Sequence, residues 1–143
     1  MDKTYNNFLI AAAVLSGAAA FVHLGCIFFG APWYRFLGAG EQMAQLDLAG
    51  HWYPKAVTSV LVVILSVWAL YALSGAGVIR RLPLVRSVLC VVTGIYLLRA
   101  VVFVPLQDYF PGNSMSFWLV SSAICFAIGA VHLVGLRQVW SDL

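Results

Sequence analysis

The side chain best suited to chemistry in this chain is Arg99, a guanidinium set inside an apolar stretch that runs over residues 85–106. An arginine at the centre of a membrane span costs about 2.5–3.5 kcal/mol even on the lenient insertion scale, so some contact must offset it. One offset is an anion, a phosphate or carboxylate gripped by the planar fork. Two structural alternatives compete with it. The guanidinium can snorkel to the headgroups, or it can pair internally with Glu41, Asp47 or Asp108.

Other polar residues fall at a similar level. At a rise of ~1.5 Å per residue, His23 and Arg99 each lie about 10 Å from the end of their apolar stretch. Thr58 and Ser59, and Ser121 and Ser122, reach the same level in two further stretches, and Tyr96 lies one turn deeper. The expected ligand-binding set is therefore Arg99, His23, Tyr96, Glu41 and Ser122, polar groups from several helices in one layer of a bundle. A lone histidine in a helix is nonetheless more often a satisfied core residue than a base or ligand.

Other chemistries find less to work with. No GxSxG, HExxH or P-loop pattern occurs. His23 and His132 should be about 15 Å apart along the membrane normal, too far for two axial ligands. His23 and His51 with Glu41 or Asp47 make the one conceivable metal set, and its spacing carries no signature, so neither a metal nor a cofactor is expected. Cys26, Cys90 and Cys125 lie in three different apolar stretches with no CxxC pair, which points to small buried hydrophobes. Cys26 sits near enough to a boundary to meet a small thiol probe.

The elements that must carry these residues are four apolar stretches at 8–30, 55–75, 85–106 and 115–136. Each approaches the roughly 20 residues that a bilayer requires. With 63% hydrophobic and 9% charged residues, a water-soluble domain would lack a polar surface. The expected fold is all-α: an integral membrane four-helix bundle, one membrane domain over residues 1–143. A signal-peptide reading of the N-terminus competes weakly, because its apolar run outlasts an h-region of about 7–15 residues. The net charge of +3 gives no ground for nucleic-acid binding.

Orientation follows from the cations. Lys3, Arg80, Arg81, Arg86 and Arg137 fall on one side and only Arg35 and Lys55 on the other, which places both termini in the cytoplasm of a bacterial cell, in its inner membrane. The long loop 31–54 then faces outward, framed by Pro32-Trp33-Tyr34 and Trp52-Tyr53-Pro54 as interfacial anchors. Within it Phe36, Gly40, Met43 and Leu46 recur at helical spacing, opposite Arg35, Glu41, Gln42 and Gln45. That pattern predicts a short outer-side amphipathic helix between the first and second spans.

Helices in lipid associate through close fit, so small residues mark contacts. Ala12, Ser16 and Ala20 share one edge of the first span, Ala13 and Gly17 the next, and Ser121, Cys125 and Gly129 an edge of the fourth. The first and fourth spans are expected to pack tightest, with each other or across a homodimer. Val22-His23-Leu24 recurs as Val131-His132-Leu133, but the copies sit at different depths and no wider repeat accompanies them.

Residues 30–41, Gly-Ala-Pro-Trp-Tyr-Arg-Phe-Leu-Gly-Ala-Gly-Glu, and 68–77, Trp-Ala-Leu-Tyr-Ala-Leu-Ser-Gly-Ala-Gly, resemble segments of small, uncharacterised four-span inner-membrane proteins of Gram-negative bacteria. In size and span count the chain is also similar to DoxX-like and GtrA-like proteins, in architecture only. The resemblance implies no activity. Two functions follow from the residues. One is a lipid- or partner-binding accessory module, its partners the bilayer, an anionic lipid or a membrane protein. The other is a small enzyme or carrier acting on an amphiphilic anion at an outer-leaflet site around Arg99.

Overall fold

The computed structural model describes residues 5–143, and among these every regular element is helical. Lys3, counted above toward the basic side, lies outside the described residues. The helices are α1 (Asn7–Phe29), α2 (Ala31–Phe36), α3 (Glu41–Leu48), α4 (Tyr53–Gly75), α5 (Val85–Val101), α6 (Phe103–Leu106) and α7 (Met115–Gln138), with a 3-10 turn at Gln107–Tyr109. Helices α1, α4 and α7 are each long and apolar enough to cross a membrane; α5 passes the same test only together with its bent continuation, so the number of such elements is three, or four if that pair is one broken span.

Local chemistry sets the ends. The Asn6 side chain accepts from the Leu9 N–H at 2.8 Å, capping α1, and Ser114 caps α7 by accepting from Phe117. Gly30, at φ 69°, releases the chain from α1 into α2. Pro54 sits in the first turn of α4, where its missing N–H costs nothing.

The four long helices form a ring in the order α1, α4, α5, α7, with the most extensive contacts between α1 and α4 and between α5 and α7. Within the chain, then, the expected α1–α7 pairing is not the tightest. The reason is the direction of the small-residue edge on α7. A Cβ on Gly129 would meet Leu97 of α5, its backbone nitrogen at 3.2 Å, and Ser121 on the same edge meets Arg99. The α1 edge Ala12, Ser16 and Ala20 is buried as expected, whereas Gly17 faces out, with nothing within 4 Å of a Cβ built there. Where α1 does approach α7, it does so at Gly135, against the Leu9 backbone.

Two expected elements change. The third apolar stretch is not one helix: α5 stops at Val101, and residues Phe103–Tyr109 leave it at 67°. Pro105 has no N–H to return to the Val101 carbonyl and its ring crowds that position, which ends the helix. The predicted single helix in the long loop is likewise two, α2 and α3, because the chain turns through positive φ at Gly38 (72°) and Gly40 (94°). Phe36, on the apolar stripe read from the sequence, is 71% exposed, while Ala44 and Tyr34 are buried with Cys26 and Ala31 in a small core that closes this end of the bundle.

The opposite end carries Arg80, Arg81, Arg86 and Arg137 and is called the basic end below. There Asn6 donates to the Gln138 side chain at 2.8 Å, Arg86 donates to the Trp140 carbonyl at 2.9 Å and covers its ring, and Arg81 donates to the Asp142 carbonyl. Just inside it, Leu9, Leu89, Ala12, Ala72 and Leu136 form an apolar cluster that seals the bundle.

Candidate functional site

All four long helices contribute to one layer near the middle of the bundle: Ser16 from α1, Trp68 from α4, Tyr96 from α5 and His132 from α7. The Ser16 and Tyr96 hydroxyls are 3.1 Å apart and hydrogen-bonded. Trp68 meets the Tyr96 ring edge-on with centroids 5.3 Å apart, and the His132 ring lies 5.4 Å from it on a tilted plane. The convergence has a simple cause. Side chains lean toward their own helix N-terminus, and α5 and α7 run in opposite directions, so Tyr96 and His132 lean toward each other.

His132 is fully buried. Its Nδ1 lies 3.0 Å from the Ile128 carbonyl, which can only accept, so Nδ1 donates and a neutral ring carries a bare acceptor at Nε2. Nε2 has no partner. The Tyr96 hydroxyl is hydrogen-bonded to Ser16, and among the described residues no hydroxyl is hydrogen-bonded to His132 Nε2. Most other hydroxyls in the apolar helices are occupied locally. Thr58, Ser59, Ser66 and Thr93 each donate to the carbonyl four residues back, at 2.7–2.8 Å.

Of the expected ligand set, only Tyr96 belongs to this layer. His23 is half-buried and donates from Nδ1 to its own helix, to the Ala19 carbonyl at 2.7 Å. Thus the two Val-His-Leu copies use their histidines identically along the backbone and differ in burial. Glu41 is exposed at the far end and holds Arg35 in a two-pronged pair, both contacts 2.7 Å, while Gln45 donates to it at 2.6 Å. Arginine first, and then Gln45, depress the Glu41 carboxyl to about 2. Nearby, Tyr34 is raised above the ordinary phenol value by burial, partly offset by its hydrogen bond with Thr58.

Arg99 stands apart from all of these. Because α5 ends at Val101, Arg99 is in the last helical turn, where a cation suits the exposed carbonyls, rather than in the midst of a span. Its Nη2 reaches Ser121 Oγ at a long 3.4 Å, and its guanidinium carbon lies 5.4 Å from the centroid of buried Trp118. Among the described residues Nη1 is buried without a partner, and so is the Oγ of Ser122, the residue after Ser121 in α7. Among the described residues, no hydrogen bond or ion pair joins Arg99 to His23, Tyr96 or Glu41, and the one ion pair is Arg35–Glu41.

Among the described residues, no three His, Cys, Asp or Glu side chains are grouped for a metal. The cysteines are free thiols, and Cys26 is buried beneath α2 rather than open to a probe; Cys90 is the exposed one. His132, Ser16 and Trp68 escaped the depth count for identifiable reasons. Ser16 reads as a packing residue on a small-residue edge, and His132 falls deeper than His23. Only the lean of antiparallel side chains brings Tyr96 down and His132 up to one level.

Comparison with known proteins adds no relative: no family model matches the chain, and no curated protein or solved structure is significantly similar to it.

Proposed function

We propose that this chain is a multi-pass protein of a bacterial inner membrane, with both termini cytoplasmic, and that it works as a lipid- or partner-binding accessory module. The observation that carries the membrane reading is the outer surface of the bundle. Val14, Phe21, Phe28, Val60, Val63, Leu98, Val120 and Phe126 are all more than half exposed, on four different helices. A monomer in water rarely shows a continuous apolar surface of more than a few hundred Å². A bilayer removes the difficulty, and the arginines gathered at one end supply the orientation.

A binding role rather than a reaction is supported by how the interior is used. Tyr96 is bonded to Ser16, His23 to Ala19, Glu41 to Arg35, and the remaining hydroxyls largely to their own helices. These groups stabilise the bundle and do not converge on a common reacting point. The four-span layout is also what likens the chain, in architecture only, to DoxX-like and GtrA-like proteins.

A second reading, an enzyme or carrier for an amphiphilic anion, draws on one observation: Arg99 Nη1 on α5 and Ser122 Oγ on α7, next to the Ser121 that Arg99 reaches, are both buried without a partner among the described residues. Buried donors without acceptors are rare and call for a water, an ion or a ligand.

The membrane reading is tested by fusion and extraction together. Carbonate at high pH should leave the chain in the membrane pellet. Alkaline phosphatase fused after Leu143 should be inactive, and a fluorescent protein fused there should glow. Release by carbonate overturns insertion, and an active phosphatase overturns the orientation.

A further inference from the structure

We infer that the basic end of the bundle carries a binding site for the phosphate-bearing headgroup of an anionic lipid, formed by Arg80 and Arg81 over the cavity between the start of α1 and the ends of α4 and α7. The inference deepens the lipid-binding reading above and rests on it.

The cavity is an open hollow of about 560 Å³. Arg80, Arg81, Asn6, Ser74, Gln138 and Asp142 supply its polar lining, and Ile79 and Val139 are among its apolar wall. It lies where the apolar helices end, the level at which lipid phosphates are found when the helices span a bilayer.

The two arginines are held there by a buried device. Ser74, 5% exposed near the end of α4, accepts from the Leu82 N–H at 2.9 Å and donates to the Arg80 carbonyl at 3.2 Å. One hydroxyl thus pins the backbone on both sides of Arg81. Gly77, at φ 79°, makes the turn that brings this segment back over the helix end. Arg81 is steadied further by the Asp142 carbonyl, whereas the Arg80 guanidinium has no acceptor among the described residues. An ordered backbone presenting an unsatisfied fork is what recognition of a phosphodiester needs.

Arg80 and Arg81 line the cavity together with Asp142 and Leu143, and the first turn of α1, which holds no acid, directs the positive end of a 23-residue helix at the same place. The end of α4 opposes these with its carbonyls, but the Ala72 carbonyl accepts from the Ala76 N–H, the Ser74 carbonyl from the Gly77 N–H and the Ala76 carbonyl from the Asn6 N–H, so part of that negative end is covered. Basic pockets between spans on this side of a membrane suit anionic headgroups.

The test uses the full chain, purified and delipidated, with native mass spectrometry during titration by phosphatidylglycerol, by phosphatidylethanolamine, or by inorganic phosphate. Phosphatidylglycerol should be retained in preference to phosphatidylethanolamine. Arg80→Gln and Arg81→Gln should each weaken retention about fivefold, the effect of one arginine at a lipid surface. Arg137→Gln, at the same end but outside the cavity lining, should leave it unchanged. Ser74→Ala, which alters no charge, should weaken it as well.

Equal loss with Arg137→Gln would mean diffuse charge attraction and would overturn the site. Equal binding of the two lipids overturns it too, and binding of inorganic phosphate without lipid preference would assign the cavity to a soluble phosphate. Carbonate extraction separates the levels: a chain stripped from the membrane refutes the membrane reading and the site together, whereas a retained chain without lipid preference refutes the site alone.

Discussion

Ser16 and Tyr96, eighty positions apart in the sequence, share a 3.1 Å hydrogen bond in the interior of the bundle and so tie α1 to α5 across the ring of helices. The bond spans the diagonal, since α1 and α5 each pack chiefly on other partners. It therefore sets the relative height and rotation of two helices whose surfaces otherwise touch little. Apolar contacts alone would tolerate sliding; a hydroxyl pair in a dry interior does not.

Tyr96→Phe should remove this tie and leave the Ser16 hydroxyl buried without its partner. The expected loss is about 1 kcal/mol, in line with interhelical hydrogen bonds in membranes. Thermal melting in detergent of Tyr96→Phe, Ser16→Ala and the double variant reads it. The double variant should lose less than the sum of the singles, and strict additivity would mean that the two hydroxyls do not interact.

Glycine positions on α1 and α7 should behave oppositely. Gly17→Leu should melt like the parent, because no atom lies within 4 Å of a Cβ there. Gly129→Leu should destabilise by about 1–3 kcal/mol, the usual range for overpacking, since the Leu97 backbone is already within 3.2 Å of a Cβ. A destabilised Gly17→Leu would point to a second copy of the chain on that face.

The Arg35–Glu41 pair should survive strong acid. Glu41 is held at about 2 against an ordinary 4.5, so its stabilising effect is present above about 4.5 and is lost as pH falls through about 2. The carboxyl is open to solvent, and the contribution is local to the α2–α3 cap. Carbon-detected titration of the Glu41 carboxyl should give a midpoint below 3 in the parent. In Arg35→Gln it should move back toward the ordinary value; a midpoint near 4.5 in the parent would show that the pair is not formed.

Arg99 separates an anion site from an anchor. A snorkelling side chain tolerates lysine, because an ammonium also reaches the headgroups. A fork holding an anion does not. In an Arg80→Gln/Arg81→Gln background, which removes the lipid held at the basic end, native mass spectrometry should show an anionic lipid or metabolite kept with Arg99 in place and released by both Arg99→Lys and Arg99→Ala. Equal retention in all three would leave Arg99 as a helix-end cation stacked near Trp118.

The composition and the apolar stretches by themselves determined the all-helical fold and three or four helices apolar enough to cross a membrane. A stretch of about 20 apolar residues has few ways to satisfy its backbone other than as a helix. The stripe Ala12, Ser16 and Ala20 was legible for the same reason, a fixed periodicity on a known element. Tertiary structure decided what periodicity does not contain: the rotation of each helix and its neighbours. The edge of α7 carrying Gly129 turned to α5 and not to α1, and His132 rose to meet Tyr96 because antiparallel side chains lean toward one another. The break after Val101 shows the limit most clearly. Pro105 stood in plain view, yet hydropathy averaged over it, and only the bent backbone moved Arg99 from the interior of a span to the end of a helix.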